Sequence, residues 1–548
     1  MAGAGEGMSP SGHRQLWVGT GDGRRLLPFP VVRPRPWTDH LPPGAELSVD
    51  DLTKRRSLPA AWAQRWAAHP SAPLLYDAGL GAGARWVTAG ELDERTRRAA
   101  ATLGQWGLRR GDRLVWSTGS STAAAVANVA ALRAGLVVVP ANPAYTEREL
   151  VHIVRDVRPA AVVVDDPERA RWATRSATGP LVALSVDLAP APAHGTAGRQ
   201  PGVDGREPVD AGSGLDRSAP EDPAVIAYTS GTTGAPKGAV LTHRNVLANS
   251  ESVSLTWRWE ADDRLVHALP IFHGHGMCVA LYTALLRGSS VVLVPRFSPD
   301  AVLDAVHEHG ASLFFGVPTM YHRIAASDRL AELARLRLAV SGSAPLPADL
   351  WRRIRDGAAT EVLERYGMTE TLMTISNPYE GARRPGTVGF PFPGVDVRLE
   401  GGEILVRGPA VFSGYFERPA ATAETLVDGW CRTGDMGEVD DGYVVIKGRA
   451  GDLILSGGYN VYPAEVEDVL LTHPAVAEVA VTGTPSEEWG EAVTAWIVAD
   501  GAPPSTDGLL AYAAGLLAPY KRPRVVHFVS ELPRNAMGKV RRVELRRG

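Results

Sequence analysis

Between residues 60 and 170 the chain alternates amphipathic stretches with short apolar runs, and no other feature constrains its fold as tightly. LDERTRRAAATLGQWGL and AAAVANVAALRAG carry helical periodicity, whereas DRLVWST, LVVVPAN and AAVVVDD are apolar runs of strand length. Buried strands alternating with helices predict parallel α/β layers. The same signals resume over residues 225–350 and give way to shorter strand patterns in GVDVRLE, GEILVRG and GYVVIKG. The last hundred or so residues read differently. AEVEDVLLTHP and DGLLAYAAGLL are helical, VAEVAVTGTP and AVTAWIVAD are strand-like, and together they predict a small α+β unit beginning near Arg449. A chain of 548 residues exceeds a single hydrophobic core, so two or more folded units are expected.

Composition narrows the function classes. Hydrophobic residues are 45% and charged residues 22% of the chain, which excludes global disorder and fibrous architectures. The 57 basic and 61 acidic side chains leave a net charge of -4, so no overall field recruits nucleic acid or an anionic membrane. Cys278 and Cys431 alone make neither a disulfide framework nor a zinc cluster. The start MAGAGEGMSPSGHRQ lacks a secretory apolar stretch and no run reaches membrane-spanning length, so a cytoplasmic protein without a membrane anchor is expected. Residues 1–45, rich in Gly, Pro and Arg, are read as a flexible or loosely docked extension, and residues 189–220 as a surface loop or linker. Arginine greatly outnumbers lysine, which makes Lys54, Lys237, Lys447, Lys521 and Lys539 informative.

The segment AVIAYTSGTTGAPKGAVLTHRNV places a glycine- and threonine-rich loop after an apolar strand and before a helix-like stretch. Gly231, Gly234 and Gly238 let backbone N–H groups approach an anion; Thr229, Ser230, Thr232 and Thr233 add hydroxyls and Lys237 adds charge. That chemistry suits a polyphosphate. Gly238 follows Lys237 where a Walker A loop needs Ser or Thr, so a P-loop NTPase is disfavoured. The alternative is a plain polar turn.

YTSGTTGAPKG resembles the signature loop of the adenylate-forming acyl-CoA synthetase family, and ALPIFHGHG, SGSAPL, ERYGMTET, TGDMG with GRAGDLILSGGYNVYPAEVE, and LPRNAMGKV match further family segments in order. Within the family, LPIFHGHG, FFGVPTMYHR and RYGMTETLMTISNPYEGARRPGTVG look closest to malonyl-CoA synthetases. The resemblance implies an α/β fold: a large N-terminal domain of layered sheets with a small β-barrel-like subdomain over residues 46–448, a hinge at residues 449–451, and a small mobile α+β domain over residues 452–548. It also implies ATP, Mg²⁺ and coenzyme A as partners in a two-step reaction. A carboxylate attacks the α-phosphate of ATP and releases pyrophosphate; the acyl-adenylate then passes its acyl group to the thiol of coenzyme A.

By the same resemblance Lys539 supplies the cation for adenylation, Glu370 after Thr369 holds Mg²⁺, and Thr229, Lys237 and His273 take part in catalysis. Taken alone, Lys539 reads as a solvated lysine. Asp435 is expected on the ribose hydroxyls with Arg449 beside it; Gly342, Ser343 and Ala344 with Arg365, Tyr366, Gly367 and Met368 form the adenine site, for which tight packing is the alternative. Gly457 and Gly458 belong to the loop presented for thioester formation after the hinge turns. Gly451 stands where the family commonly has Asp or Lys, a departure that leaves either conformation without a side-chain contact there.

A dicarboxylate such as malonate or methylmalonate needs a buried cation, and Arg323, on the helix after the strand in ASLFFG, is the candidate; a local ion pair is the alternative. His273 and His275 are expected along the thiol route and the acyl pocket, with Met277, Met373 and Thr374 as further lining. Competing readings are a ligase for a monocarboxylic or aryl acid and an adenylation enzyme loading a carrier protein. The PxxxxGK context of Lys539 further suggests a protein acetyltransferase as a regulatory partner.

Overall fold

The computed structural model describes residues 4–8, 14–18, 25–26, 31–42, 44–53, 56–191, 214–229, 236–457, 459–534 and 539–546. The apolar runs of the first half become Arg113–Ser117, Val137–Pro140 and Ala161–Val164, paired in parallel. Helices Ala89–Gln105, Thr122–Arg133 and Glu147–Val157 alternate with them, and the first begins at a reciprocal Thr88–Glu91 capping box. These strands belong to a seven-stranded sheet that ends in the antiparallel pair Pro223–Thr229 and Lys237–Thr242, with Gly414–Tyr415 on its edge.

A nine-stranded sheet runs Phe390–Pro391, Leu372–Ser376, Leu363–Met368, Leu338–Ser341, Leu313–Gly316, Arg264–His267, Ser290–Leu293, Pro73–Asp77 and Val87–Thr88, parallel in its centre. Helix His243–Thr256 is buried on nearly every face, so its polar residues must find partners inside the protein. Asn245 donates to the carbonyls of Pro409 and Val411, Asn249 to that of Met373, and Ser252 to that of Pro393. The helix thereby pins loops from distant parts of the chain. A six-stranded antiparallel sheet holds Val31–Val32, Asp396–Glu400, Glu403–Arg407, Leu426–Val427, Trp430–Asp440 and Tyr443–Arg449. The C-terminal sheet of Ile454–Ser456, Tyr459–Val461, Val476–Ser486, Gly490–Ala499 and Val525–Phe528 packs its own core with helices Pro463–Leu471 and Thr506–Leu516.

One expectation changes and one open alternative is resolved. The glycine-rich loop leads into a strand, not a helix: Lys237–Thr242 returns antiparallel on Pro223–Thr229 with Thr229 opposite Lys237, and the helix starts only at the Thr242–Asn245 capping box. Part of the expected extension is docked structure. Val31–Val32 adds a strand to the six-stranded sheet, and buried His40 stacks on Phe390 at 4.1 Å. Of the expected linker, residues 192–213 lie outside the described residues, while Asp216 beyond them pairs with the fully buried Arg133. No helix among the described residues is long and apolar enough to cross a membrane.

Candidate active site

Adjacent strands bring Asp435 and Arg449 face to face, with Arg449 Nε 2.7 Å from Asp435 Oδ1. Asp435 Oδ2 accepts from the Tyr366 hydroxyl. Burial raises the Asp435 carboxyl above its ordinary range while Arg449, Tyr366 and Lys539 pull it down. Each carboxylate oxygen has a second acceptor position, which paired hydroxyls of a sugar could use. Gly367 and Gly342 are needed for close approach: a Cβ at Gly367 would lie 2.0 Å from the Leu372 carbonyl oxygen, and one at Gly342 2.3 Å from Arg365 Cζ. Ser343 takes a left-handed φ of 71°, Ala344 is exposed, and Met368 and Thr369 lead into the turn that carries Glu370.

Lys237 and Glu370 meet through a residue that the motif reading did not single out. The Tyr415 hydroxyl donates to Glu370 Oε1 at 2.8 Å, and the Lys237 ammonium sits 5.1 Å from the centre of the Tyr415 ring. Burial raises the Glu370 carboxyl, opposed by the Tyr415 hydrogen bond, so a cation beside it would restore its charge. One buried carboxylate, linked through Tyr415 to Lys237, fits Mg²⁺, which takes one or two carboxylates and fills its shell with phosphate and water oxygens. No cluster of three or more His, Cys, Asp or Glu occurs among the described residues. Ser230, Gly231, Thr232, Thr233, Gly234 and Gly458 lie outside the described residues.

Arg323 is not the buried cation that the sequence reading expects. Arg323, on helix Pro318–Ala325, is exposed and lies over Phe297 at 5.1 Å. The buried guanidinium there is that of Arg365, 3% exposed, whose Nε and Nη2 have no hydrogen-bond partner among the described residues. Burial pulls Arg365 down to about 9 and pushes neighbouring Glu364 up to about 8, so at neutral pH the arginine stays charged while the glutamic acid keeps its proton. Burial, reinforced by the Arg365 charge, lowers His273 to about 4 and His275 well below its usual value. Both rings are therefore neutral. His275 Nδ1 lies 3.4 Å from Ser343 Oγ, and its Nε2 is unpartnered among the described residues.

A π-helical turn, His275–Leu281, places these histidines, and a Cβ at Gly276 would fall 2.2 Å from the Pro270 carbonyl oxygen, which accounts for the glycine of FHGHG. Met277 is fully buried and its Sδ accepts from Asn128 at 3.7 Å. Met373, 5% exposed, opposes Gly367 across the sheet, and Thr374 Oγ1 donates to the Tyr366 carbonyl at 3.4 Å.

Lys539 comes from the C-terminal unit. It keeps solvent contact, yet its amine is desolvated and faces the positive charge of Arg449, which together lower it below an ordinary lysine; Asp435 and Asp452 act the other way. Lys539 thus lies within electrostatic reach of the Asp435–Arg449 pair. Gly451 occupies a short helical turn, Ala450–Asp452, between the six-stranded and C-terminal sheets, and Arg542 and Arg546 lie 3.8 and 3.4 Å from Asp452. Gly457 adopts a left-handed φ of 58° beside the Trp489 ring.

Known proteins resemble this chain in sequence and fold. Residues 62–416 match the family model described as AMP-binding enzyme, and residues 465–539 match the AMP-binding enzyme C-terminal domain. A feruloyl-CoA synthase of Amycolatopsis is 39% identical, covering 85% of this chain and 94% of the relative. A mitochondrial malonate–CoA ligase of Mus musculus is 37% identical, covering 77% and 79%. The crystal structure of ATP-bound MatB from Rhodopseudomonas palustris matches with a TM-score of 0.79 at 40% identity, over 90% of this chain and 98% of that one. The chain belongs to the family of AMP-binding enzymes, the adenylate-forming acyl-CoA synthetases.

Proposed function

We propose that this acid–thiol ligase activates malonate, with methylmalonate as a second substrate, to the acyl-adenylate and then to the acyl-CoA. The observation that carries the reading is the buried, charged guanidinium of Arg365 with two unpartnered nitrogens. Among the described residues no anion hydrogen-bonds this cation, and the distal carboxylate of a dicarboxylic acid supplies one through paired N–H···O bonds. His275, neutral and with a free Nε2, can share that carboxylate or the acyl chain. Relatives named as malonate–CoA ligases agree with this reading, whereas the feruloyl-CoA synthase favours an aryl acid as the second reading.

The same reading assigns the remaining roles. Asp435 and Arg449 hold the ribose, Gly342 to Ala344 with Tyr366 to Met368 enclose the adenine, and the loop from Thr229 to Lys237 receives the phosphates. Glu370 holds Mg²⁺, which supplies charge for the phosphates when bound. Lys539 faces the Asp435 end of the site, where charge develops as the acid oxygen bonds to the α-phosphorus and pyrophosphate leaves. Turning the C-terminal unit about residues 449–451 would exchange Lys539 for the Gly457 loop, so that the coenzyme A thiol attacks the acyl carbon past His273 and AMP departs.

The test is ATP- and CoA-dependent thioester formation with malonate, methylmalonate, acetate, propionate, benzoate and ferulate, on wild type, Arg365→Met and Arg323→Ala. Malonate is expected to lead, with Arg365→Met costing two to three orders of magnitude in its kcat/KM, roughly 3–4 kcal/mol. Arg323→Ala is expected to change little. A lead for acetate, benzoate or ferulate overturns the substrate while leaving the family intact.

A further inference from the structure

We propose that His152 and Asp156, on helix Glu147–Val157, are positioning residues that clamp both stems of the phosphate loop and so set its grip on the triphosphate end of ATP. This rests on the ATP-dependent reading above. The two residues stand one helical turn apart and share a face. Before the loop, the Tyr228 hydroxyl donates to Asp156 Oδ2 at 2.5 Å, and Tyr228 directly precedes Thr229. After the loop, His152 Nε2 lies 3.1 Å from the Pro236 carbonyl oxygen, and Pro236 directly precedes Lys237. A carbonyl can only accept, so Nε2 carries the proton and donates.

The two ties support each other. The His152 ring meets the Tyr228 ring edge-on, 6.1 Å between centroids at 86°, so neither side chain can swing without disturbing the other. Asp156 also holds a third segment: Arg418 Nη2 lies 2.5 Å from its Oδ1. The Arg418 amide donates to the Tyr415 carbonyl and the Phe416 amide to the Gly238 carbonyl. The chain that carries Tyr415 to Glu370 is thereby tied to the same helix. None of these residues touches the Asp435–Arg449 pair, so the clamp acts at the phosphate end and not at the nucleoside end.

That asymmetry supplies the test. Calorimetric titration of the full chain with MgATP and with AMP is run on wild type, His152→Ala, His152→Gln, Asp156→Asn and Tyr228→Phe. AMP lacks the β- and γ-phosphates and reports the nucleoside pocket and the integrity of the fold. His152→Ala and Asp156→Asn are expected to raise the Kd for MgATP about tenfold, the loss of one hydrogen bond to a loaded loop, while the Kd for AMP moves by less than about twofold. His152→Gln, whose side-chain amide can donate to the Pro236 carbonyl, is expected to recover most of the loss. An unchanged MgATP affinity overturns the clamp, as does a parallel loss of AMP, which marks a general structural defect. A wild type that binds neither nucleotide overturns the ATP reading and the clamp with it, whereas normal wild-type binding with indifferent variants removes the clamp alone.

Discussion

At Arg365 burial pulls the guanidinium down to about 9 and pushes neighbouring Glu364 up to about 8, so at neutral pH a charged arginine stands beside a protonated acid. The two side chains occupy successive positions of strand Leu363–Met368 and therefore point to opposite faces. Gly342 sits beneath the guanidinium, so Gly342→Ala must push it aside. That variant is expected to raise the KM for malonate by about an order of magnitude or more, measured by thioester formation at saturating ATP. Lys539 gives a pH prediction whose sign is fixed by its environment. Its pKa lies below the ordinary 10.5, so on the proposed role of Lys539 adenylation is expected to be lost as pH rises through that lowered value. The alkaline limb of acid-dependent pyrophosphate release should therefore fall earlier than for a free lysine, and Lys539→Arg should lift it out of range. Sequence reading marked ERYGMTET but assigned Arg365 to backbone contacts and gave the acid to Arg323. Strand periodicity says that Arg365 opposes Tyr366 without saying which face is the pocket, and a helix-borne arginine such as Arg323 carries no signal of its exposure.

Among the elements, strands and helices with long, consistent patterns were legible: Leu313–Gly316, the helix Pro318–Ala325 with its leading proline, and the C-terminal helices all stand where their periodicity places them. GAVLT failed because a short apolar run before a helix fits either element, and only pairing with Pro223–Thr229 settles it. Tyr415 and the pair His152–Asp156 left no signal, since their meaning comes from sheet neighbours distant in sequence. Helix His243–Thr256 shows a related limit. Its many Ser and Asn residues resemble an exposed face, yet they are buried and bonded to loops of the site. Asn249→Leu would leave the Met373 carbonyl without its 2.8 Å donor and is expected to cost about 1–3 kcal/mol, seen as a lower thermal midpoint.

For the whole molecule, acid sensitivity follows from where three histidines lie. His40 is sealed against Phe390, His243 begins the central helix, and His273 lies near the Arg365 charge, each held down to about 4 chiefly by burial. An unfolded chain titrates these rings near 6.5, so between pH 6.5 and 4 it binds protons that the folded chain refuses. Their contribution to stability is present above 6.5 and is lost as pH falls through that window, by up to about 3 kcal/mol for each ring. All three lie in the large N-terminal body, so its thermal transition should drop between pH 7 and pH 5. His243 isolates the effect, because neither of its ring nitrogens has a hydrogen-bond partner among the described residues. Replacing it with phenylalanine removes the titration and an unpaired polar group while nearly conserving volume. His243→Phe should therefore raise the thermal midpoint more at pH 5 than at pH 7, and an equal shift at both values would show that protonation of this ring does not drive the acid loss.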